Sequence, residues 1–168
     1  GRGTRTLFPD AWEAFVAPIP EAERGDLIQA YYRRLTSGDA RVRIEAARAW
    51  SLWESRVATL RPDPAVETHC NNTDYTLAFA RIECHYFLHK GFLRSETQLL
   101  DDAHKIQHIP TTIVHGRYDV ICPLENAWAL HKRLPKSELA IVPDGGHSAF
   151  EPGIAAALRR ATDRYRPL

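Results

Sequence analysis

The segments TTIVHGRYDVICP (residues 111–123) and VPDGGHSAFEP (residues 142–152) decide the fold class. Residues 111–115 are rich in β-branched side chains and residues 138–142 are mostly apolar, so both runs predict strands. Pro123 suits the first turn of a helix that extends through Leu134, and residues 154–165 predict a closing helix. Strands that alternate with helices predict an α/β fold with a parallel sheet and right-handed crossovers.

Two polar residues follow the ends of these strands. Asp119 comes just after the first strand, and His147 lies in a glycine-flanked turn after the second. The carboxyl ends of parallel strands meet at one edge of the sheet, where open α/β sheets build their sites. We predict that His147 acts as general base and then general acid, and that Asp119 orients its ring. The alternatives are that Asp119 is a turn or capping residue and that His147 has no catalytic role.

A third catalytic residue is expected upstream. Asp followed by His is the order of the last two members of a triad whose serine comes first, on a G-x-S-x-G turn. The chain contains no methionine, and glycines do not flank any serine in this way: Ser37, Ser51, Ser55, Ser95, Ser137 and Ser148. Two parallel strands also need neighbours to form a stable sheet. We therefore expect the carboxyl-terminal part of a longer protein, inactive without the half that holds the serine.

The first hundred residues predict helices with short breaks. Apolar residues recur at helical spacing in residues 27–35, 42–57 and 75–89. Asp39 is the expected cap of the second of these helices, and Gly91 is the expected stop of the third. The change of period after Pro110 divides the chain into a helical domain, residues 1–108, and an α/β part, residues 109–168.

The composition narrows the range of partners. A net charge of +1 over 168 residues gives no electrostatic reason to expect nucleic acid or an anionic membrane. No apolar run approaches the roughly 18 residues of a membrane span. Three cysteines without a C-x-x-C pair favour reduced thiols in the cytoplasm, and the alternative is a disulfide between two of them. Histidines four residues apart (His85 and His89, His104 and His108) lack the further ligands that zinc requires. We expect no metal and no cofactor.

Two glutamates lie on otherwise apolar helix faces. Glu54 adjoins Trp53 and lies one turn after Trp50, and Glu83 shares a face with Phe79. Burying a carboxylate among aromatic rings is costly unless it meets a cation. One interpretation is a pair of carboxylates that holds an ammonium group beside aromatic walls. The other is that both are solvated or paired with a nearby arginine: Arg48, Arg56 or Arg81.

Four segments together resemble one family: AWSLWE (residues 49–54), LAFARIECHYF (77–87), IPTTIVHGRYDVICP (109–123) and GGHSAFEPG (145–153). They are similar to the prolyl aminopeptidases, or proline iminopeptidases, which are serine peptidases of the α/β-hydrolase fold. The opening LFPDAWEAFVAPIPEAER also resembles the start of their helical cap domain, so the likeness covers essentially the whole chain. Cys84 departs from the pattern, because the family's motif has asparagine there.

The resemblance implies a helical cap, residues 1–108, followed by the last part of an α/β-hydrolase core, residues 109–168. It implies an enzyme that releases an amino-terminal proline from peptides. Asp119 and His147 match the family's triad acid and base. Glu54 and Glu83 match the cap carboxylates that hold the substrate's free amino group, and Cys122 matches a cysteine near the substrate pocket.

Two rival hypotheses share part of this pattern. Another capped α/β-hydrolase, such as an esterase or an epoxide or haloalkane hydrolase, would use Asp119 and His147 but would not need Glu54 and Glu83. The second rival is an inactive fragment or a hydrolase-like scaffold that serves as a binding protein.

Overall fold

The computed structural model describes residues 2–63, 68 and 70–166. These residues form two compact units. Unit 1 comprises Gly1–Val57 and Pro62–Leu93, and unit 2 comprises Ala58–Arg61 and Arg94–Leu168. Among the described residues, no helix combines the length and apolar character that crossing a bilayer requires.

Helices dominate the described residues up to Leu93, as the sequence predicts. The helices are α1 (Arg2–Leu7), α2 (Pro9–Val16), α3 (Leu27–Leu35), α4 (Ala40–Ala58) and α5 (Thr73–Leu88), with 3₁₀ turns at Glu21–Glu23 and Lys90–Phe92. The predicted segment 27–35 coincides with α3, and the segments 42–57 and 75–89 correspond to α4 and α5 with ends displaced by one or two residues.

Side-chain caps explain where three of these helices begin. Asp26 accepts the Gln29 N–H at 3.0 Å at the start of α3, and Asn72 accepts the Tyr75 N–H at 3.1 Å at the start of α5. Asp39 accepts the Arg41 N–H at 2.8 Å, which confirms it as the cap of α4. Gly91, with φ of 64°, follows the end of α5 in the left-handed conformation that glycine favours.

Aromatic rings form the core of unit 1. Phe15 stacks on Tyr31 with ring centroids 4.7 Å apart, and Trp50 meets Tyr31 edge-on at 5.2 Å. The Tyr31 hydroxyl donates a hydrogen bond to the Phe15 carbonyl, so this buried polar atom is satisfied. Cys84, at the position that departs from the resembled family, is fully buried in the same core.

Unit 2 combines a small parallel sheet with helices. It contains α6 (Gln98–Asp101), a 3₁₀ turn (Asp102–Lys105), β1 (Thr111–Gly116), α7 (Leu124–Arg133), β2 (Ser137–Val142) and α8 (Pro152–Arg164). The two strands pair in parallel, from Thr111 opposite Ser137 to Gly116 opposite Val142. The predicted α/β arrangement with a parallel sheet is therefore confirmed.

The carboxyl ends of the strands define the edge that positions the candidate site. α8 packs against both strands, and its Ile154 and Ala157 bury Val142 at the end of β2. Since the strands are in register to their last residues, the turns that follow Gly116 and Val142 leave the sheet side by side.

Candidate active site

The turn after β1 holds Asp119. Its side chain is only 5% exposed. The oxygen Oδ1 accepts backbone N–H groups from Ile121 at 3.0 Å and Cys122 at 2.8 Å, a local pattern that makes aspartate common in turns. These bonds fix the carboxylate and leave Oδ2 directed away from its own turn.

The turn after β2 holds His147, and the structure brings it to Asp119. The Nδ1 atom of His147 lies 2.9 Å from Asp119 Oδ2. The turns also meet through their backbones, since the Tyr118 N–H donates to the Gly145 carbonyl at 2.9 Å. The sequence prediction that these two side chains lie close together at the strand ends agrees with this geometry.

The hydrogen bond determines which proton transfers the histidine can perform. A carboxylate only accepts, so Nδ1 carries the proton and Nε2 of neutral His147 is left with a lone pair. Within the described residues, Nε2 has no hydrogen-bond partner, and the side chain is 38% exposed. An imidazole held in this way by a buried carboxylate can act as a general base through Nε2.

His115 is a polar neighbour that the sequence analysis did not single out. Its Nε2 atom lies 2.8 Å from the Cys122 carbonyl oxygen and 3.5 Å from Asp119 Oδ2. Its side chain is mostly buried. The available signal was a histidine near the end of an otherwise apolar strand, four residues before the aspartate.

Cys122 belongs to the same turn. Its N–H donates to Asp119 and its carbonyl accepts from His115, while the residue itself is exposed. The structure thus places this predicted site residue beside Asp119 through its backbone.

Glu54 and Glu83 lie in unit 1, on α4 and α5. Glu83 Oε2 accepts the indole N–H of the buried Trp50 at 2.6 Å. This bond fixes one carboxylate among the aromatic rings. The neighbouring Trp53 packs edge-on against Trp12, with centroids 5.5 Å apart.

The electrostatics of Glu54 are unusual for a glutamate. Burial raises its pKa from 4.5 to about 7, and the negative charge of Glu83 contributes to the same shift. Within the described part of the chain, the Glu54 carboxylate forms no hydrogen bond and no ion pair. The alternative that Glu54 pairs with Arg48, Arg56 or Arg81 is not met among the described residues.

No described group of three or more His, Cys, Asp and Glu side chains has the arrangement of a metal site.

The chain is similar to known proteins along nearly its whole length. Residues 2–154 match the family model described as the alpha/beta hydrolase fold. The chain is 55% identical over 163 residues to a probable proline iminopeptidase of Leptolyngbya boryana, covering 97% of this chain and 51% of that protein. It is 54% identical to a proline iminopeptidase of Xanthomonas citri, with 97% and 52% covered. For a proline iminopeptidase of Arabidopsis thaliana the identity is 52%, with 99% and 44% covered.

The chain thus spans about half the length of the relatives that it matches. The match to the family model extends over nearly all of the described residues and includes both members of the Asp119–His147 pair. The chain belongs to the alpha/beta hydrolase fold family.

Proposed function

We propose that the whole protein is a serine peptidase that releases an amino-terminal proline from peptides. The observation that carries this proposal is the 2.9 Å contact between His147 Nδ1 and the buried carboxylate of Asp119. The relatives are named proline iminopeptidases, which supports the choice of peptides with an amino-terminal proline as substrates.

In the proposed mechanism, His147 first accepts a proton from the serine and then donates it to the leaving amine. Its Nε2 atom removes the hydroxyl proton of a serine as the serine oxygen attacks the carbonyl carbon of the amino-terminal proline. The resulting imidazolium then gives this proton to the leaving amine as the C–N bond breaks. Water attacks the acyl-enzyme in the same way and releases proline. We propose that the serine lies in a part of the whole protein outside this chain.

Asp119 supports both transfers without changing its own protonation. Its Oδ2 atom holds the Nδ1 proton, which selects the tautomer with a basic Nε2 and stabilises the imidazolium that forms. The two backbone N–H groups on Oδ1 keep the carboxylate in this orientation.

Glu54 and Glu83 are the proposed binding groups for the substrate's amino terminus. Proline carries a positively charged secondary amine and a compact apolar ring. Two half-buried carboxylates beside Trp50 and Trp53 offer opposite charge and aromatic surface to such a group. A blocked amino terminus has no positive charge, so the pair would favour free amino termini. We propose Cys122 as a further residue at the substrate pocket, on the basis of its position beside Asp119.

The remaining parts of this proposal concern organisation. We propose that residues 1–108 form the cap domain, that residues 109–168 complete the hydrolase core, and that the chain is inactive without the rest of the protein. Peptides are the proposed partners, and the cytoplasm is the proposed compartment.

Substitution of Glu83 by glutamine in the whole protein tests the assignment. We expect turnover of a proline amide to fall at least about tenfold, because the ammonium loses one charged partner whose hydrogen bonds contribute roughly 1.5–3 kcal/mol. Cleavage of a simple uncharged ester should change little. Unchanged proline-amide turnover with persistent ester cleavage would favour an esterase or another capped hydrolase.

A further inference from the structure

The side chain of Glu151 forms a hydrogen bond with the turn that carries His147. The residue lies immediately before α8, and its two carboxylate oxygens accept from different parts of unit 2. Oε1 accepts the Gly146 N–H at 2.8 Å, and Oε2 accepts the Leu60 N–H at 3.3 Å. One side chain therefore connects the residue before His147 to a segment distant in sequence.

Backbone hydrogen bonds connect the same two segments. The Ala58 carbonyl oxygen accepts the N–H of His147 at 2.9 Å and the N–H of Ser148 at 2.8 Å. The Ala58 carbonyl oxygen and the Glu151 carboxylate thus both connect residues 58–60 to residues 146–148.

The packing at Gly146 shows how closely these groups approach. A Cβ atom added there would lie 2.9 Å from Glu151 Oε1, 2.9 Å from Leu60 N and 3.2 Å from the Ala58 oxygen. Only glycine therefore fits between the carboxylate and residues 58–60. These contacts together fix the position of the backbone next to His147.

We propose that Glu151 is a positioning residue for His147, an inference that rests on the proposed function. An ionised carboxylate only accepts hydrogen bonds, so both of its oxygens can serve backbone donors. A glutamine at this position has one oxygen and one NH₂ group. The NH₂ group would face an N–H donor, and one of the two connections would be lost.

Loss of the Glu151 hydrogen bonds should slow the chemical step. Glu151 does not touch the ring of His147; it fixes the backbone from which the ring extends toward Asp119 Oδ2. A misplacement of about 1 Å in a catalytic group costs about 100-fold in rate. Substrate binding through groups outside this turn does not depend on that placement, so kcat should fall while KM stays nearly constant.

The test uses Glu151→Gln in the whole protein, with Glu138→Gln as the matched control. Glu138 is an exposed carboxylate of unit 2 that pairs with Arg164 on the surface, and its loss should have little effect. Proline-amide kinetics give kcat and KM for each variant. Hydrogen exchange followed by mass spectrometry reports the protection of residues 58–60 and 146–148.

For Glu151→Gln we expect kcat to fall about tenfold or more, while KM stays within about twofold of the wild-type value. We also expect hydrogen exchange to become faster in residues 58–60 and 146–148 and nowhere else. Wild-type kcat in this variant, or a rise in KM alone, would overturn the positioning role while leaving the proposed function intact. Faster exchange throughout β1 and α8 would also overturn it, because that result indicates a general loss of stability.

The two proposals can fail separately. A whole protein that never cleaves proline amides would contradict the proposed function. The exchange measurement would then still decide whether Glu151 anchors the turn, and unchanged protection of residues 58–60 and 146–148 would show that it does not.

Discussion

Asp119 is the residue on which the candidate chemistry of unit 2 depends most closely. It is buried, and its two oxygens accept hydrogen bonds from Ile121, Cys122 and His147. A buried carboxylate with its acceptor sites occupied in this way has a fixed direction, and that direction sets the ring orientation of His147. Its contribution to catalysis should therefore be separable from substrate binding.

We predict that Asp119→Asn in the whole protein lowers kcat by about 10⁴-fold, because the amide NH₂ opposite Nδ1 favours the tautomer with the proton on Nε2. KM should remain within about twofold. The control is Asp102→Asn, which removes a half-buried carboxylate that pairs with Arg94 and Lys105. Equal losses in both variants would indicate a general structural effect and contradict the assigned role.

The raised pKa of Glu54 leads to a separate prediction. Burial and the negative charge of Glu83 raise this pKa to about 7. Above pH 7 the carboxylate is charged and can hold an ammonium group. As the pH falls through 7 it becomes protonated, so the affinity for a cationic amine should fall toward that of Glu54→Gln, about tenfold below its value at pH 8. The inhibition constant of an unreactive proline-like amine, measured from pH 8 to pH 5.5, follows this change without involving the chemical step.

Glu54→Gln is the matched variant for that titration. It should bind the amine about tenfold more weakly at pH 8, consistent with the loss of one charged hydrogen-bonding partner, and its affinity should change little down to pH 6. A variant that keeps the wild-type pH dependence would assign the titration to another group.

At the scale of elements, the ends of β1 and β2 place the two catalytic candidates side by side. Gly116 ends β1 directly beneath the His147 turn, where an added Cβ would lie 2.0 Å from the Gly146 oxygen and 2.6 Å from the Gly145 oxygen. Both of these are backbone atoms, which cannot rotate away as a flexible side chain does. The strand and the turn therefore approach each other only because residue 116 has no side chain.

Gly116→Ala is expected to lower the free energy of unfolding by at least about 2 kcal/mol, through overpacking against backbone, and to reduce activity by displacing His147. Gly38→Ala is the control, since a Cβ at that position meets nothing within 4 Å. Urea unfolding of both variants measures the difference. Equal stabilities would contradict the close approach of the two backbones.

The elements also show which features the sequence could predict. Asp119 and His147 each follow a strand whose composition is visible locally, and the parallel-sheet rule then brings their turns together. No such rule pairs Leu60 with Glu151, which are 91 residues apart and lie in irregular segments. The raised pKa of Glu54 was also beyond prediction, because it depends on how packed helices exclude water from one carboxylate.

At the scale of the whole molecule, the candidate groups are divided between two compact units. Unit 1 holds the carboxylates Glu54 and Glu83, and unit 2 holds the Asp119–His147 pair. The relatives are about twice as long as this chain. A complete peptidase also needs a nucleophile and an oxyanion hole, which we assign to the remainder of the whole protein.

The most direct test of the proposed function compares two substrates with the whole protein. One is a chromogenic amide of proline, and the other is the same amide with its proline nitrogen acetylated. We predict rapid release of the amine from the first and at least about 100-fold slower release from the second, because acetylation removes the positive charge that two carboxylates would hold. Equal turnover of both amides would contradict the role of Glu54 and Glu83. Cleavage of neither amide, with ester cleavage retained, would contradict the peptidase assignment itself.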